Sequence, residues 1–234
     1  MLDVQHISFA WGRTPLLEDV SFSLAPGETA VLAGANGAGK TTLLKILAGV
    51  CLPSSGRVVL DGVDALRQSL RYRRMLGYLP ETAPADPDLR VRQYLRYRAN
   101  LRGEMTKKIR HRVAEALALC GLEPYADAPV GTLSFGLRKR VALADAVLLR
   151  PRVLLLDDLL AGLDPPTRAS LGRIVGAAAS FASVLVSGHA LDELAQWAGT
   201  FYVLREGRVV GVKTAAGART VLGLTRPPAE GGAA

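Results

Sequence analysis

One stretch of this 234-residue chain restricts its possible folds more than any other. It reads Gly34-Ala35-Asn36-Gly37-Ala38-Gly39-Lys40-Thr41-Thr42 and lies between a short apolar strand, Glu28–Ala33, and an apolar helix, Thr41–Ala48, that stops at Gly49. The spacing fits G-x-x-x-x-G-K-[ST], the phosphate-cradling loop. Glycines let the backbone turn tightly enough to aim several N–H groups into one concavity. The helix adds the partial positive charge of its N-terminus. Lys40 is a mobile cation suited to β- and γ-phosphates, and the Thr41 hydroxyl is a hard oxygen suited to Mg²⁺. A site for MgATP is the expectation, and a strand feeding a loop feeding a helix commits the chain to α/β architecture.

A second Mg²⁺ anchor should be an acid at the end of a buried strand. Val153-Leu154-Leu155-Leu156 followed by Asp157 supplies one. Around these two points the chain divides into three. The first third reads as strands: Val4–Phe9 and Val20–Leu24 alternate about a turn at Gly12–Pro15, and Val58–Leu60 precedes the Asp61-Gly62 turn. In the middle, a short strand Leu76–Leu79 leads into a loop marked by Pro80, Pro84 and Pro87. Helical periodicity then runs from Arg90 to about Leu119, with Val91, Tyr94, Leu95, Arg98 and Leu101 on one face, and returns over Arg138–Leu149. In the last third, helix Pro166–Ala179, strand Val184–Val186, helix Leu191–Ala198 and strands Thr200–Leu204 and Arg208–Val212 alternate again. The expected fold is a P-loop NTPase with a parallel-sheet core, an N-terminal antiparallel β region and an inserted α-helical subdomain. As boundaries we expect one domain over 1–220, its core at about 1–80 and 151–215, its helical subdomain at about 81–150, and a disordered tail at 226–234.

Composition excludes several classes. Hydrophobic residues make up 49% of the chain, too many for a disordered one, yet no apolar run reaches the roughly 18 residues a membrane span needs. The N-terminus carries Asp3 and lacks a basic segment followed by an apolar one, so a cytosolic chain is expected. Cys51 and Cys120 have no neighbour at metal-ligand spacing and read as reduced thiols, and His6, His111 and His189 are far apart. The net charge is +8, and thirteen Arg or Lys residues against four acids fall between Arg67 and Arg112. Charge alone fits nucleic acid, an anionic membrane surface or a solvated face.

Later motifs narrow the choice. Leu133-Ser134-Phe135-Gly136-Leu137-Arg138-Lys139-Arg140 begins 93 residues after Lys40, and seventeen residues separate Arg140 from Asp158. This resembles the LSGGQ-type signature of the ABC ATPases, placed as in that family just before the acidic strand, and the resemblance runs from about Leu2 to Val212. It implies the ABC-ATPase fold and a set of roles. Trp11 matches the aromatic that stacks on adenine, and Asp157 the Mg²⁺-binding aspartate. Asp158 stands at the catalytic glutamate, Glu81 at the glutamine that senses Mg²⁺ and the transport partner. Ala161-Gly162-Leu163-Asp164 resembles the D-loop, and His189 the switch histidine near the γ-phosphate. In the family, the signature Ser and Gly face ATP held by another subunit, which implies a head-to-tail dimer with Ser134 and Gly136 closing over the partner's nucleotide.

Three departures from the family pattern stand out. Asp158 is one methylene shorter than glutamate, about 1.5 Å of reach, and a base must come within about 3 Å of its water. Slow hydrolysis and a long-lived ATP-bound dimer follow, unless the backbone shifts to compensate. Glu81 keeps an oxygen that reaches Mg²⁺. Phe135 and Leu137 add apolar groups to the signature, for packing or for dimer contact, with packing the expectation.

The resemblance therefore implies the ATP-hydrolysing subunit of a membrane transporter, of bacterial export or multidrug type. A separate transmembrane permease and a second copy or paralogous ATPase are the implied partners, and the place is cytoplasmic, peripheral on the inner face of the cell membrane. A groove around Glu81–Leu101, with Tyr94 and Tyr97 as candidates, would receive the permease, and the basic run would lie near the leaflet. A slow-hydrolysing regulatory partner is the alternative. A soluble ABC protein acting on nucleic acid is a further one, though the chain has neither a heptad insertion nor zinc cysteines.

Overall fold

A computed structural model describes residues 1–82 and 86–224. The expected tail at 226–234 lies outside the described residues, as does Pro84 of the expected loop. In chain order the elements are β1 (Leu2–Trp11), β2 (Thr14–Leu24), β3 (Thr29–Gly34), α1 (Lys40–Leu47), β4 (Ser55–Leu60), β5 (Val63–Asp64), α2 (Ser69–Arg74), β6 (Leu76–Leu79), α3 (Val91–Leu101), α4 (Thr106–Cys120), α5 (Phe135–Val147), β7 (Val153–Leu156), α6 (Pro165–Ala178), β8 (Ser183–Ser187), α7 (Leu191–Leu194), β9 (Thr200–Arg205), β10 (Arg208–Val212) and α8 (Ala215–Val221).

Two sheets form. The smaller has the order β2-β1-β4-β5 and is antiparallel throughout. Its alternating pattern buries Leu2, Val4, Ile7, Leu17, Val20 and Leu24 on one face. The larger has the order β10-β9-β3-β8-β7-β6, parallel except where β10 turns back on β9. Its central strands are apolar on both faces, as a parallel sheet covered on both sides requires. Ala30 and Leu32 of β3 join Leu43, Leu44, Ile46 and Leu47 of α1 and the buried face of the small sheet. Val31 and Ala33 point the other way, into a layer built from α3, α4, α5 and α6. Helix α1 is thus held between the two sheets, and the loop that starts it is fixed from both sides.

The α/β arrangement with its antiparallel N-terminal region matches the expectation. Four local readings differ. The helical run Arg90–Leu119 is two helices, broken at Gly103, whose φ of 74° lies in the left-handed region and whose α-carbon faces the Arg74 guanidinium. Leu101 points to solvent, and Ala99 takes the inward position. Helix α7 stops after one turn because the chain bends to lay the Trp197 indole on Gly172 of α6, where a Cβ would sit 2.7 Å from the ring. Helices α2 and α8 were unexpected. The first is anchored by the buried Tyr72, whose hydroxyl donates to the Leu47 carbonyl at 2.6 Å, and the second by its cap, where Thr214 Oγ1 accepts from Gly217 N–H at 3.0 Å.

The helical layer is pinned by charge as well as by packing. Asp145 of α5 is buried, and two guanidiniums, from Arg98 of α3 and Arg102 just past its end, close on it. Arg98 Nε donates to Oδ2 at 3.0 Å, and Arg102 donates to Oδ1 at 2.8 Å and to the Asp145 carbonyl at 2.7 Å. The buried Tyr94 phenol interacts with the same carboxylate, and burial pushes it up to about 12. Tyr94 is therefore unavailable as a groove residue, while Tyr97 remains exposed. Removing one partner of such a cluster strands the other charges, which costs several kcal/mol. Asp145→Ala should lower unfolding stability by about 3 kcal/mol, read as a shifted midpoint in urea.

Candidate nucleotide-binding site

Strands β3, β7 and β8 are neighbours and parallel, so their carboxyl ends open on one side of the sheet. The register sets Leu32 beside Ser187 and Leu156 beside Val186, which brings Gly34, Asp157 and Ser187 to one edge. A cleft of about 250 Å³ lies there, lined by Leu16, Asn36, Gly37, Gly39, Lys40, Thr41, Thr42, Glu81, Asp157, Asp158, Ser187 and His189. This is where ligands collect in open α/β sheets. Gly34, Ala35 and Ala38 of the phosphate loop line the two flanking clefts.

Glycine is required in the loop for geometric reasons. Gly39 takes a φ of 102° to cap α1, and a Cβ there would press on Leu16 and Leu17 at 3.2 and 3.1 Å. Gly34 lies so near β9 that a Cβ would sit 2.8 Å from the Leu204 carbonyl. Inside the loop the buried Lys40 ammonium donates to the carbonyls of Gly34 and Ala35, each at 2.9 Å. Burial pushes its pKa below the ordinary lysine value, and Asp158, Asp157 and Glu81 oppose that shift. A cation held by its own loop and faced by three carboxylates is poised to swing to a phosphate.

The acidic end of β7 is organised by a serine. Ser187 Oγ donates to Asp157 Oδ1 at 2.7 Å and accepts from the Asp158 N–H at 2.9 Å. Thr41 Oγ1 donates to the same Oδ1 at 3.2 Å, while Asp157 Oδ2 is buried with no hydrogen-bond partner among the described residues. An orphaned carboxylate oxygen beside a threonine hydroxyl, with Glu81 lining the same cleft, fits a hard divalent cation. Among the described residues no three His, Cys, Asp or Glu side chains form a ready metal cage. Mg²⁺ takes one or two carboxylates and completes its shell with water and phosphate. Asp158 itself sits at φ 45°, a strained backbone for a residue with a side chain.

Other expected site residues stand apart. Trp11 is 64% exposed at the end of β1, edge-on to Phe9 with ring centroids 5.1 Å apart, and does not line the cleft. Ser134 caps α5, its hydroxyl accepting from Leu137 N–H at 3.3 Å, and Asp164 occupies the cap position of α6; both are exposed. Gly136 joins these two helix starts, since a Cβ there would sit 2.9 Å from the Thr167 methyl. Phe135 half-packs, its ring against Gly162. The structure thus gathers the phosphate loop, Glu81, Asp157, Asp158 and His189 and leaves Trp11, Ser134, Gly136 and Asp164 outside. It adds Leu16 and Ser187. The signal for Ser187 was a polar residue ending the apolar strand just before Gly188-His189; Leu16 carried none.

A family model for ABC transporters matches residues 17–161. The chain belongs to the ABC transporter ATP-binding family. Nod factor export ATP-binding protein I of Burkholderia orbicola (strain AU 1054) is 34% identical over 210 residues, which cover 89% of this chain and 69% of that protein. Among solved structures, an ATP-binding subunit of an ABC transporter superposes with a TM-score of 0.83 at 29% identity, over 96% of this chain and 94% of the other. The cbiO1 protein of Clostridium perfringens, part of the cbiONQ transporter complex, gives 0.82 at 27% identity over 95% and 90%. This ABC protein is thus an ATP-binding transporter subunit, and its fold is the ABC-ATPase fold. Among the described residues no helix is long and apolar enough to cross a membrane. Lys40→Ala deletes a charge-assisted contact worth about 1.5–3 kcal/mol and should raise the Kd for ATP on the order of tenfold or more, read with a fluorescent ATP analogue.

Proposed function

We propose that this chain hydrolyses MgATP to drive a transporter whose membrane-spanning part is a separate permease, through a head-to-tail dimer with two shared sites. One observation carries the reading. Ser134 lies exposed and Gly136 half-buried at the start of a thirteen-residue helix, outside the cleft built by their own phosphate loop. A helix start with an exposed hydroxyl is a ready anion site, and here it needs a second copy to bring the anion. The domain is taken as 1–220, with the helices of about 81–150 as its subdomain.

In this reading Lys40 leaves the carbonyls of Gly34 and Ala35 for the β- and γ-phosphates. The backbone of Gly34–Thr42 cradles them, and Trp11 meets the adenine. Thr41, Asp157 and Glu81 hold Mg²⁺, which would offset phosphate charge. Water attacks the γ-phosphorus, the bond to the bridging oxygen breaks, ADP departs, and Asp158 takes the water's proton. His189 steadies the γ-phosphate, and Asp164 meets the second copy beside Ser134 and Gly136. Positioning and charge stabilisation supply most of the acceleration in such a transfer.

The permease would dock on the exposed apolar surface that includes Tyr97 and Leu101, and the basic residues between Arg67 and Arg112 would face the anionic leaflet from the cytoplasmic side. The cbiO1 neighbour, from a multi-subunit transporter complex, supports a separate permease. The Nod factor export relative supports export as the direction. Asp158 favours a second reading, a regulatory ATP-holding partner with low turnover.

Three variants test these roles. Asp158→Glu should raise kcat at least about tenfold, because a misplacement of about 1 Å costs on the order of a hundredfold. An unchanged kcat would sink the slow-hydrolysis account. Asp158→Asn should abolish turnover and trap an ATP-dependent dimer on gel filtration; a chain that stays monomeric with ATP argues against the shared site. Ser187→Ala frees the Asp157 carboxylate and should raise the half-saturating Mg²⁺ concentration about tenfold.

A further inference from the structure

Lys139 is a second buried lysine that feels the charge of the same three carboxylates as Lys40. It lies in the second turn of α5 and is 6% exposed. Its Nζ donates to the Glu81 carbonyl at 2.9 Å, and the Phe135 ring covers it with the centroid 5.9 Å away. Asp158, Glu81 and Asp157 act on its charge, as they act on that of Lys40. The two cations approach from different layers, Lys40 from the phosphate loop and Lys139 from the helical layer. On its open side Lys139 borders a separate cleft of about 530 Å³ shared with Glu81, Phe135, Ala161 and Gly162.

An ammonium is costly to bury, and a leucine would fill the same space more cheaply unless the charge were used. Glu81 follows β6 after Pro80, where the chain has left the sheet, so its carbonyl is beyond the ladder that fixes Leu79. Lys139 supplies the donor that the sheet no longer does. Fixing that carbonyl fixes the start of the Glu81 side chain. The same positive charge sits beside a cluster whose mutual repulsion would otherwise splay Glu81 away from Asp157 and Asp158.

We propose that Lys139 is a positioning residue for the nucleotide site: its ammonium clamps the Glu81 carbonyl and offsets the carboxylate cluster from the side of the helical layer, so that Glu81 and Asp158 keep their working geometry as nucleotide comes and goes. Phe135 is the cover that keeps water from this contact. The inference rests on the hydrolytic role proposed above for Glu81 and Asp158.

The test compares the full chain with Lys139→Met and Lys139→Arg, measuring steady-state ATPase, binding of a fluorescent ATP analogue and thermal unfolding. Lys139→Met should lower kcat five- to twentyfold while KM and the Kd for the analogue stay within twofold, and Lys139→Arg should restore kcat to within threefold of the parent. A Lys139→Met kcat within twofold of the parent overturns the proposal, and so does a Lys139→Arg variant as slow as Lys139→Met. If the parent binds ATP but shows no turnover, the hydrolytic reading fails and the Lys139 proposal is judged separately by Mg²⁺ titration of analogue binding. There Lys139→Met must move the half-saturating Mg²⁺ at least threefold and Lys139→Arg must bring it back; no movement overturns it. Should Lys139→Met not fold, Lys139→Gln, neutral and slightly shorter, carries the same comparisons.

Discussion

A parallel sheet covered on both faces has only the ends of its strands to offer a ligand. Here Val31 and Ala33 are spent on the helical layer, and Ala30 and Leu32 on α1 and the small sheet. The chemistry is left to the residues just past the carboxyl ends of β3, β7 and β8. The register brings those ends level, so a loop, a pair of acids and a serine that are far apart in sequence meet within one cleft. Because α1 is gripped between two sheets, the loop that starts it cannot drift. The inner geometry of the site follows from that confinement.

Much of this could be read from the chain, because the residues concerned answer to local rules. The phosphate loop is a contiguous pattern, and β7 is a run of four apolar residues ending at Asp157. Both declare their partners by spacing alone. What stayed hidden depends on contacts between distant segments. Arg98 fits the inward period of α3, but its reason for facing inward is Asp145, 47 residues away. Helix α2 has a sequence crowded with arginines and is held by one buried phenol. Nothing near Asp158 marks the left-handed backbone it adopts, and Lys139 looks like one more basic residue in a basic stretch until Glu81 is placed above it.

Charge in this molecule is arranged in two ways. On the surface most of the basic residues between Arg67 and Arg112 spread over α2, α3 and α4, where solvent screens them, whereas Arg98 and Arg102 of the same run turn in to Asp145. In the interior, positive and negative groups are few and several are tightly engaged. Asp145 is gripped by two arginines, Asp157 by Thr41 and Ser187, and Lys40 by its own loop. Among the described residues three buried side-chain atoms lack a hydrogen-bond partner: Tyr78 Oη, Arg140 Nε and Asp157 Oδ2. Of these, the Asp157 oxygen belongs to the carboxylate bonded by Thr41, the residue that follows Lys40, where a cation would satisfy it.

The contact between Gly136 and Thr167 has a mechanical meaning. With no side chain between them, the starts of α5 and α6 touch backbone to methyl, and no space remains for one to slide past the other. Ser134 and Asp164 stand at the cap positions of these two touching helix starts. A side chain at position 136 would wedge these helix starts apart, because its Cβ would have only 2.9 Å to the Thr167 methyl.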